Sequence, residues 1–133
     1  MTRRSLAALA LAVALALPAL FAADRPAGAQ AGASPEVAYA LDHAADTYGV
    51  PRRCLWTIAR RETGGTFWPW VTNRRSGAAG LMQYLWSTWS VLAPRAGYGG
   101  ASPYEPWAAA HVAAWAIANP GPSQGGLRHW GGC

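Results

Sequence analysis

Proline and glycine divide this sequence into short helical segments, and their spacing limits what the chain can fold into. Residues 34–36, Ser-Pro-Glu, have the features of a helix start: a capping hydroxyl, a proline in the first turn and an acid near the positive end. Pro51 and Pro106 begin two further segments, and Gly49 and Gly64 end the first two. Apolar residues recur at helical spacing and no run alternates as a strand does. We therefore predict a mainly α, compact single domain of about four to five helices with glycine-rich loops.

A third helical segment is predicted between the second and the last. Ser87 precedes an apolar stripe that includes Trp89, and we expect its hydroxyl to cap this helix. The helix should end near Pro94, because proline interrupts the helical hydrogen bonds.

The beginning of the chain is expected to lie outside this domain. Two arginines precede an alanine- and leucine-rich run at 5–22, and Ala-Gly-Ala follows at 27–29. These are the features of a secretory signal peptide. We predict a signal peptide at 1–29, a short linker at 30–35 and the folded domain at 36–133. Cleavage two or four residues later fits the same pattern, and an uncleaved membrane anchor is the alternative.

The distribution of charge along the mature chain argues against a nucleic-acid partner. All eleven basic residues are arginine, and removing the first 29 residues reduces eleven to eight and the six acidic residues to five. The remaining arginines stand in pairs at 52–53, 60–61 and 74–75 rather than along one face, so we predict no nucleic-acid partner. We expect a secreted, extracytoplasmic monomer, in the cell wall or periplasm, without stable membrane insertion.

The two cysteines are expected to form a disulfide, because an exported chain meets an oxidising compartment. Joining Cys54 to Cys133 would contribute about 4 kcal/mol in the chain-entropy model; two free thiols are the alternative. The cysteines lack further ligands at metal-site spacing. His43, His111 and His129 are unpaired by spacing, so we interpret them as structural or surface residues and predict no metal and no cofactor.

Glu62 is the candidate catalytic residue. An apolar stripe begins at Leu55 and continues three and four residues later, and Glu62 occupies the next position on it, at the end of the helix. Burial disfavours a charged carboxylate, so we expect Glu62 to hold its proton near neutral pH, as a general acid for glycosidic cleavage must. We expect Arg60 and Arg61 to point elsewhere. In the alternative interpretation, Glu62 turns outward into solvent at the helix end.

Tryptophan is unusually frequent, with eight among 133 residues. Trp68 and Trp70 follow Glu62 directly, in a segment with glycines at both ends, where their rings could pack on the apolar faces of sugars. Trp86 is a weaker candidate, and burial in the core is the alternative for each. We expect the remaining five to fill the core: Trp56, Trp89, Trp107, Trp115 and Trp130.

Four short motifs follow one another in the middle of the chain. They are Tyr-Gly-Val-Pro at 48–51, Glu-Thr-Gly-Gly at 62–65, Ser-Gly-Ala-Ala-Gly-Leu-Met-Gln at 76–83 and Ser-Thr-Trp at 87–89. In this order they resemble the soluble lytic transglycosylases of the lysozyme-like superfamily. With the terminal Trp-Gly-Gly-Cys included, the resemblance extends over residues 36–133 and is to small secreted bacterial members.

The resemblance implies cleavage of the β-1,4 bond between N-acetylmuramic acid and N-acetylglucosamine in the glycan strands of peptidoglycan. It implies that Glu62 acts first as acid and then as base, with a 1,6-anhydro sugar as product. It further implies that Met82 and Gln83 line the sugar groove and that Thr63 forms a hydrogen bond near the acid. No Ala-Tyr-Asn motif follows, so the tyrosine that contacts the acid in the family has no assigned equivalent here.

The scarcity of acidic residues is consistent with a lyase. No aspartate or glutamate stands between Glu62 and Glu105, and we interpret Asp42 and Asp46 as a solvated face of the first helix. Ordinary glycoside hydrolases use two carboxylates. An inverting hydrolase that uses Glu105 stays open, although Glu105 suits a helix start better. A peptidoglycan-binding or signalling module with weak or no catalysis is the remaining alternative.

Overall fold

The computed structural model describes residues 32–121 and 126–133. The predicted signal peptide and its cleavage site lie outside these residues. The described part contains four α-helices and one 3-10 helix and, apart from isolated bridges, no β-sheet, which confirms the mainly α prediction. The helices are α1 (Pro35–Tyr48), α2 (Arg52–Glu62), α3 (Trp86–Arg95) and α4 (Pro106–Ala118), and the 3-10 helix is η1 (Gly126–Trp130).

The ends of α1 follow the sequence prediction. The side chain of Ser34 accepts a hydrogen bond from the backbone N–H of Val37, at 3.2 Å. Gly49 ends the helix in a left-handed conformation, with φ of 67°. Pro106 is the first residue of α4, and Glu105 occupies the N-cap as expected.

The predicted cap of α3 is wrong. The helix begins at Trp86, its N-cap is Leu85, and no side chain forms a capping hydrogen bond, so Ser87 lies inside the first turn. The backbone explains the difference, since Tyr84 is held by two hydrogen bonds to Ala79. Because Tyr84 is fixed by this pairing, the extended Leu85 leads directly into α3. The helix therefore begins at Trp86 without a capping hydroxyl.

The core forms where α1 packs along α4. Helix α4 is rich in alanine, and small side chains allow two helix axes to approach closely. From α2, Leu55, Trp56 and Ile58 pack against this pair with essentially no exposed surface. Trp89 and Trp130 are also buried, as predicted. The prediction that Trp107 lies in the core is wrong, because 39% of this residue is exposed.

Each fully buried tryptophan donates its indole N–H to an oxygen. Trp56 donates to the Asp42 carboxylate at 2.8 Å, Trp89 to the carbonyl of Ala101 at 3.0 Å and Trp130 to the carbonyl of Met82 at 2.9 Å. The interpretation of Asp42 as solvated is therefore wrong, since Trp56 reaches across from α2 and covers it. These bonds satisfy polar atoms that would otherwise be costly to bury.

The predicted disulfide is confirmed. Cys54 in the first turn of α2 is joined to Cys133, 79 residues later, with the two Cα atoms 4.7 Å apart. This bond holds the end of the described chain against α2, the helix that carries Glu62.

Candidate active site

Glu62 is the last residue of α2, and its side chain is 26% exposed. The carboxyl group is therefore partly withdrawn from water, as its place on the apolar stripe predicts. The prediction for Arg61 is wrong, because its Nε lies 3.5 Å from Oε1 of Glu62. Side chains at a helix end are less constrained by the helix surface, so two adjacent residues can meet there.

Thr63 fixes the turn that follows Glu62. Its hydroxyl donates to the carbonyl of Ala59 at 2.7 Å and accepts from the backbone N–H of Phe67 at 2.9 Å. Phe67 has a left-handed backbone, with φ of 53°, and its buried ring meets Trp56 edge-on. Because Thr63 is buried and its hydroxyl forms both of these bonds, it stabilises the turn that follows Glu62.

The glycine-bounded loop at 76–83 pairs with residues 71–73, which follow this turn in the chain. Gly80 has a φ of 81°, and a Cβ atom there would lie 1.9 Å from the carbonyl oxygen of Pro103. Only glycine permits this approach, which brings the turn before α4 against the loop. The loop thus lies against the turn before α4, which is distant from it in sequence.

Gln83 and Met82 occupy opposite sides of the loop. Gln83 is partly exposed, has a left-handed φ of 51°, and donates from Nε2 to the carbonyls of Val71 at 3.1 Å and Gly80 at 2.9 Å. No hydrogen bond to its Oε1 occurs within the described residues. Met82 has no exposed side chain and belongs to the core beneath the loop, and its place in the sugar groove, which the resemblance implies, stays a prediction.

Three aromatic rings form an exposed surface, which we call the aromatic platform: Trp70, Tyr104 and Trp86. Trp70 stacks on Tyr104 with ring centroids 5.8 Å apart and an angle of 18°, and Trp86 meets Tyr104 edge-on at 6.3 Å. The hydroxyl of Tyr104 is 2.6 Å from that of Thr72. Trp68 is also exposed but has no ring partner among the described residues. Rings arranged in this way can take the apolar face of a sugar.

Sequence reasoning missed Tyr104. It follows Pro103, the residue that touches Gly80, and comes two residues before Pro106 begins α4. The only sequence signal is this position between two prolines at a helix start, which does not reveal the ring's partners.

The histidines on α1 and α4 are paired, which corrects the prediction from spacing. Nδ1 of His43 lies 3.0 Å from Nε2 of His111, and Nδ1 of His111 lies 2.8 Å from the carbonyl of Trp107. A carbonyl only accepts, so Nδ1 of His111 carries a proton and its Nε2, when neutral, accepts from His43. Burial lowers the pKa of His111, and its bond to Trp107 opposes this. No group of three potential metal ligands occurs in the described part of the chain.

The family model described as "Transglycosylase SLT domain" matches residues 40–123. The chain belongs to this family. The matched range includes Glu62, Gln83 and Tyr104 and ends before η1, and the helical fold agrees with the lysozyme-like superfamily to which such domains belong.

Relatives of this SLT-domain chain have been named as transglycosylases. Over 77 residues it is 43% identical to proteins called Probable transglycosylase SceD from Staphylococcus aureus strains Newman and COL. The alignment covers 57% of this chain and 30% of each relative, so the chain spans about a third of the length of those proteins. No solved structure gives a significant match. Within the described residues, no helix combines the length and apolar character needed to cross a bilayer.

Proposed function

We propose that this protein is a secreted lytic transglycosylase. It cleaves the β-1,4 bond between N-acetylmuramic acid and N-acetylglucosamine in peptidoglycan, and Glu62 is its single catalytic acid and base. One observation carries the proposal. Among the acidic side chains that the structure describes, Glu62 alone is neither buried nor exposed, and it ends α2 within the range that the family model matches.

The other acidic side chains have structural surroundings. Asp42 accepts from Trp56 and faces Arg52, and Asp46 accepts two hydrogen bonds from Arg52. Glu105 accepts from the backbone N–H of Ser102 at 3.0 Å, within the turn before α4. Glu36 is exposed in the first turn of α1, where a negative charge is favourable. This distribution supports a mechanism with one carboxylate.

In the proposed reaction, the carboxyl proton of Glu62 moves to the bridging oxygen and the bond from that oxygen to C1 of N-acetylmuramic acid breaks. The sugar passes through an oxocarbenium-like state. Glu62, now a carboxylate, removes the proton of the sugar's own 6-hydroxyl as that oxygen bonds to C1. The acid is regenerated, no water is consumed, and a 1,6-anhydro end remains.

The substrate groove is proposed to combine the aromatic platform with Gln83. Trp70 and Trp86 offer exposed rings for the sugar faces, Trp68 adds a further exposed ring, and Gln83 has an oxygen available to accept from a sugar hydroxyl or amide. Thr63 and Met82 hold the segments on which these groups stand.

Export of a monomer after removal of residues 1–29 is also part of the proposal. The disulfide supports it, because such bonds persist in oxidising compartments outside the cytosol.

The decisive experiment is product analysis on purified peptidoglycan by mass spectrometry. The wild type should release anhydromuropeptides, and Glu62→Gln should reduce the rate roughly 10²–10⁴-fold, because an amide cannot donate the proton. Glu105→Gln is the matched control, since it also removes one carboxylate, and it should keep activity within about threefold of the wild type.

Each alternative has its own signature in this assay. Products with reducing ends, one water heavier, would identify a muramidase, and loss of activity in Glu105→Gln would identify an inverting one. Binding of peptidoglycan without any product from the wild type would identify a binding or signalling module. A Glu62→Gln variant as active as the wild type would exclude Glu62 as the acid.

A further inference from the structure

The guanidinium of Arg61 lies between Glu62 and the C-terminal tail, residues 130–133. On one side its Nε is 3.5 Å from Oε1 of Glu62. On the other side Nη2 donates to the carbonyl of Trp130, and Nη1 and Nη2 point to the carbonyl of Gly132 at 3.4 and 3.3 Å. All three guanidinium nitrogens are therefore directed at either the candidate acid or the tail.

The tail is itself fixed at two points. Cys133 is bonded to Cys54 at the start of α2, and the indole of Trp130 donates to the carbonyl of Met82 in the glycine-bounded loop. The Trp130 ring is buried and meets Tyr84 edge-on, with centroids 5.8 Å apart. The tail thus connects the helix of Glu62 with the loop of Gln83.

We propose that Arg61 is a positioning residue for Glu62 and that the disulfide-anchored tail holds Arg61 in place. The inference rests on the proposed function, because it concerns the geometry of the same carboxyl group. Arg61 itself does not contact the substrate. It fixes the orientation of the Glu62 carboxyl group through Oε1 and stabilises the negative charge left after proton transfer.

The chemistry of arginine suits this arrangement. The guanidinium is planar, and its N–H groups form a rigid fork, so bonds to the tail carbonyls also fix where Nε points. Carbonyls carry no charge, and they leave the positive charge of Arg61 to act on Glu62. Without the tail, a side chain that is already 44% exposed would gain many rotamers and meet the carboxyl group less often.

The first test compares two neighbouring arginines of α2. Arg61→Met removes the contact with Glu62, whereas Arg60→Met removes the same charge from an exposed side chain of the same turn. We expect Arg61→Met to lower kcat about tenfold with KM changed less than twofold, and Arg60→Met to change both less than twofold.

Arg61→Lys separates charge from geometry. Lysine restores the positive charge but has no rigid fork that reaches the carboxylate and two carbonyls together. We expect kcat to recover only in part. This variant also serves if Arg61→Met unfolds, because it keeps the charge and the apolar stem.

The second test releases the tail. The double change Cys54→Ser/Cys133→Ser should lower kcat about fivefold with KM changed less than twofold, as Arg61→Met leaves KM. Adding Arg61→Met to it should cost less than a further twofold, because both changes remove the same coupling. Trp130→Phe, which loses the bond to Met82 and part of the buried ring, should give a smaller effect in the same direction. Circular dichroism and the Trp130 indole N–H signal in NMR would verify folding and tail docking.

The outcomes separate the inference from the proposed function. Unchanged kcat in folded Arg61→Met, beside an active wild type and an inactive Glu62→Gln, would overturn the inference alone. Effects of Arg61→Met and of tail release that simply multiply would overturn the role of the tail. A wild type that yields no anhydro product would overturn the proposed function and, with it, the inference.

Discussion

Five tryptophans of this domain form two sets with opposite surroundings. Trp56, Trp89 and Trp130 are buried, and each indole N–H has an oxygen within 3.0 Å. Trp70 and Trp86, in the aromatic platform, are more than half exposed, and neither indole N–H has a protein partner within the described residues. Tryptophan therefore fills the core in one region, whereas in the aromatic platform it presents an exposed ring and an indole N–H without a described protein partner.

The exposed set indicates where a ligand is expected to bind. A small domain rich in alanine needs large side chains to fill its core, and Trp56 with its buried carboxylate partner does so. Rings exposed beside one another gain nothing from burial in the free protein, and clustered exposed apolar surface commonly marks a binding site. Substitutions in the two sets should thus affect different measurements.

The largest effect is expected from Trp56→Ala. Removal of this fully buried ring should lower the free energy of unfolding by about 3–5 kcal/mol, because it leaves a cavity and deprives Asp42 of its donor. Urea denaturation monitored by circular dichroism measures the loss. A decrease below about 1 kcal/mol would contradict a core role for Trp56.

Trp70→Ala should have the reverse effect of Trp56→Ala, weakening substrate binding rather than stability. We expect KM for peptidoglycan to rise about tenfold, near 1.4 kcal/mol, because a stacking surface for sugar is lost. The free energy of unfolding should change by less than about 0.5 kcal/mol, since the ring is exposed.

Trp107→Ala is the matched control for Trp70→Ala. Its ring is also exposed but contacts Tyr39, His43 and His111 rather than the platform. KM should stay within twofold of the wild type. A rise equal to that of Trp70→Ala would mean that exposure alone, and not the platform, determines sugar binding.

The smallest effect concerns the histidines beneath Trp107. Burial lowers the pKa of His111, so the unfolded chain takes up a proton at higher pH than the folded one. The stabilising contribution is complete above the ordinary value of about 6.5 and is lost as the pH falls from there through the folded pKa. Besides His43, the rings of Tyr48 and Tyr98 face His111.

Chemical denaturation at pH 7.5 and pH 5 measures this small loss. His111→Gln should flatten the dependence, because it removes the titrating ring while keeping an amide that can hydrogen-bond. An equally steep dependence in that variant would assign the effect to other groups.

Local signals predicted the helices well, whereas partners across the fold were not predictable. Proline and capping residues correctly gave the starts of α1 and α4. The start of α3 depends on the pairing of Tyr84 with Ala79, a tertiary feature that replaced the expected cap at Ser87. His43 and His111 stand 68 residues apart, and no helical spacing connects them.

The candidate site shows the same division. The stripe on α2 placed Glu62, but the direction of Arg61 at the helix end was missed. Tyr104 joins Trp70 only because Gly80 lets the Pro103 turn approach, and a single sequence does not show that contact. Met82, a motif residue next to Gln83, lies in the core, and its burial is likewise not visible in a single sequence.

The Cys54–Cys133 bond has a consequence for resistance to proteases. It closes a covalent ring that contains Glu62, Gln83 and Tyr104, whereas α1 lies outside it. A single peptide-bond cut anywhere within the ring leaves both fragments joined, so the pieces of the site stay together. A cut between Tyr48 and Arg52, by contrast, would free α1, the helix that packs along α4. The short link between α1 and α2 is therefore the point at which one cleavage can dismantle the domain.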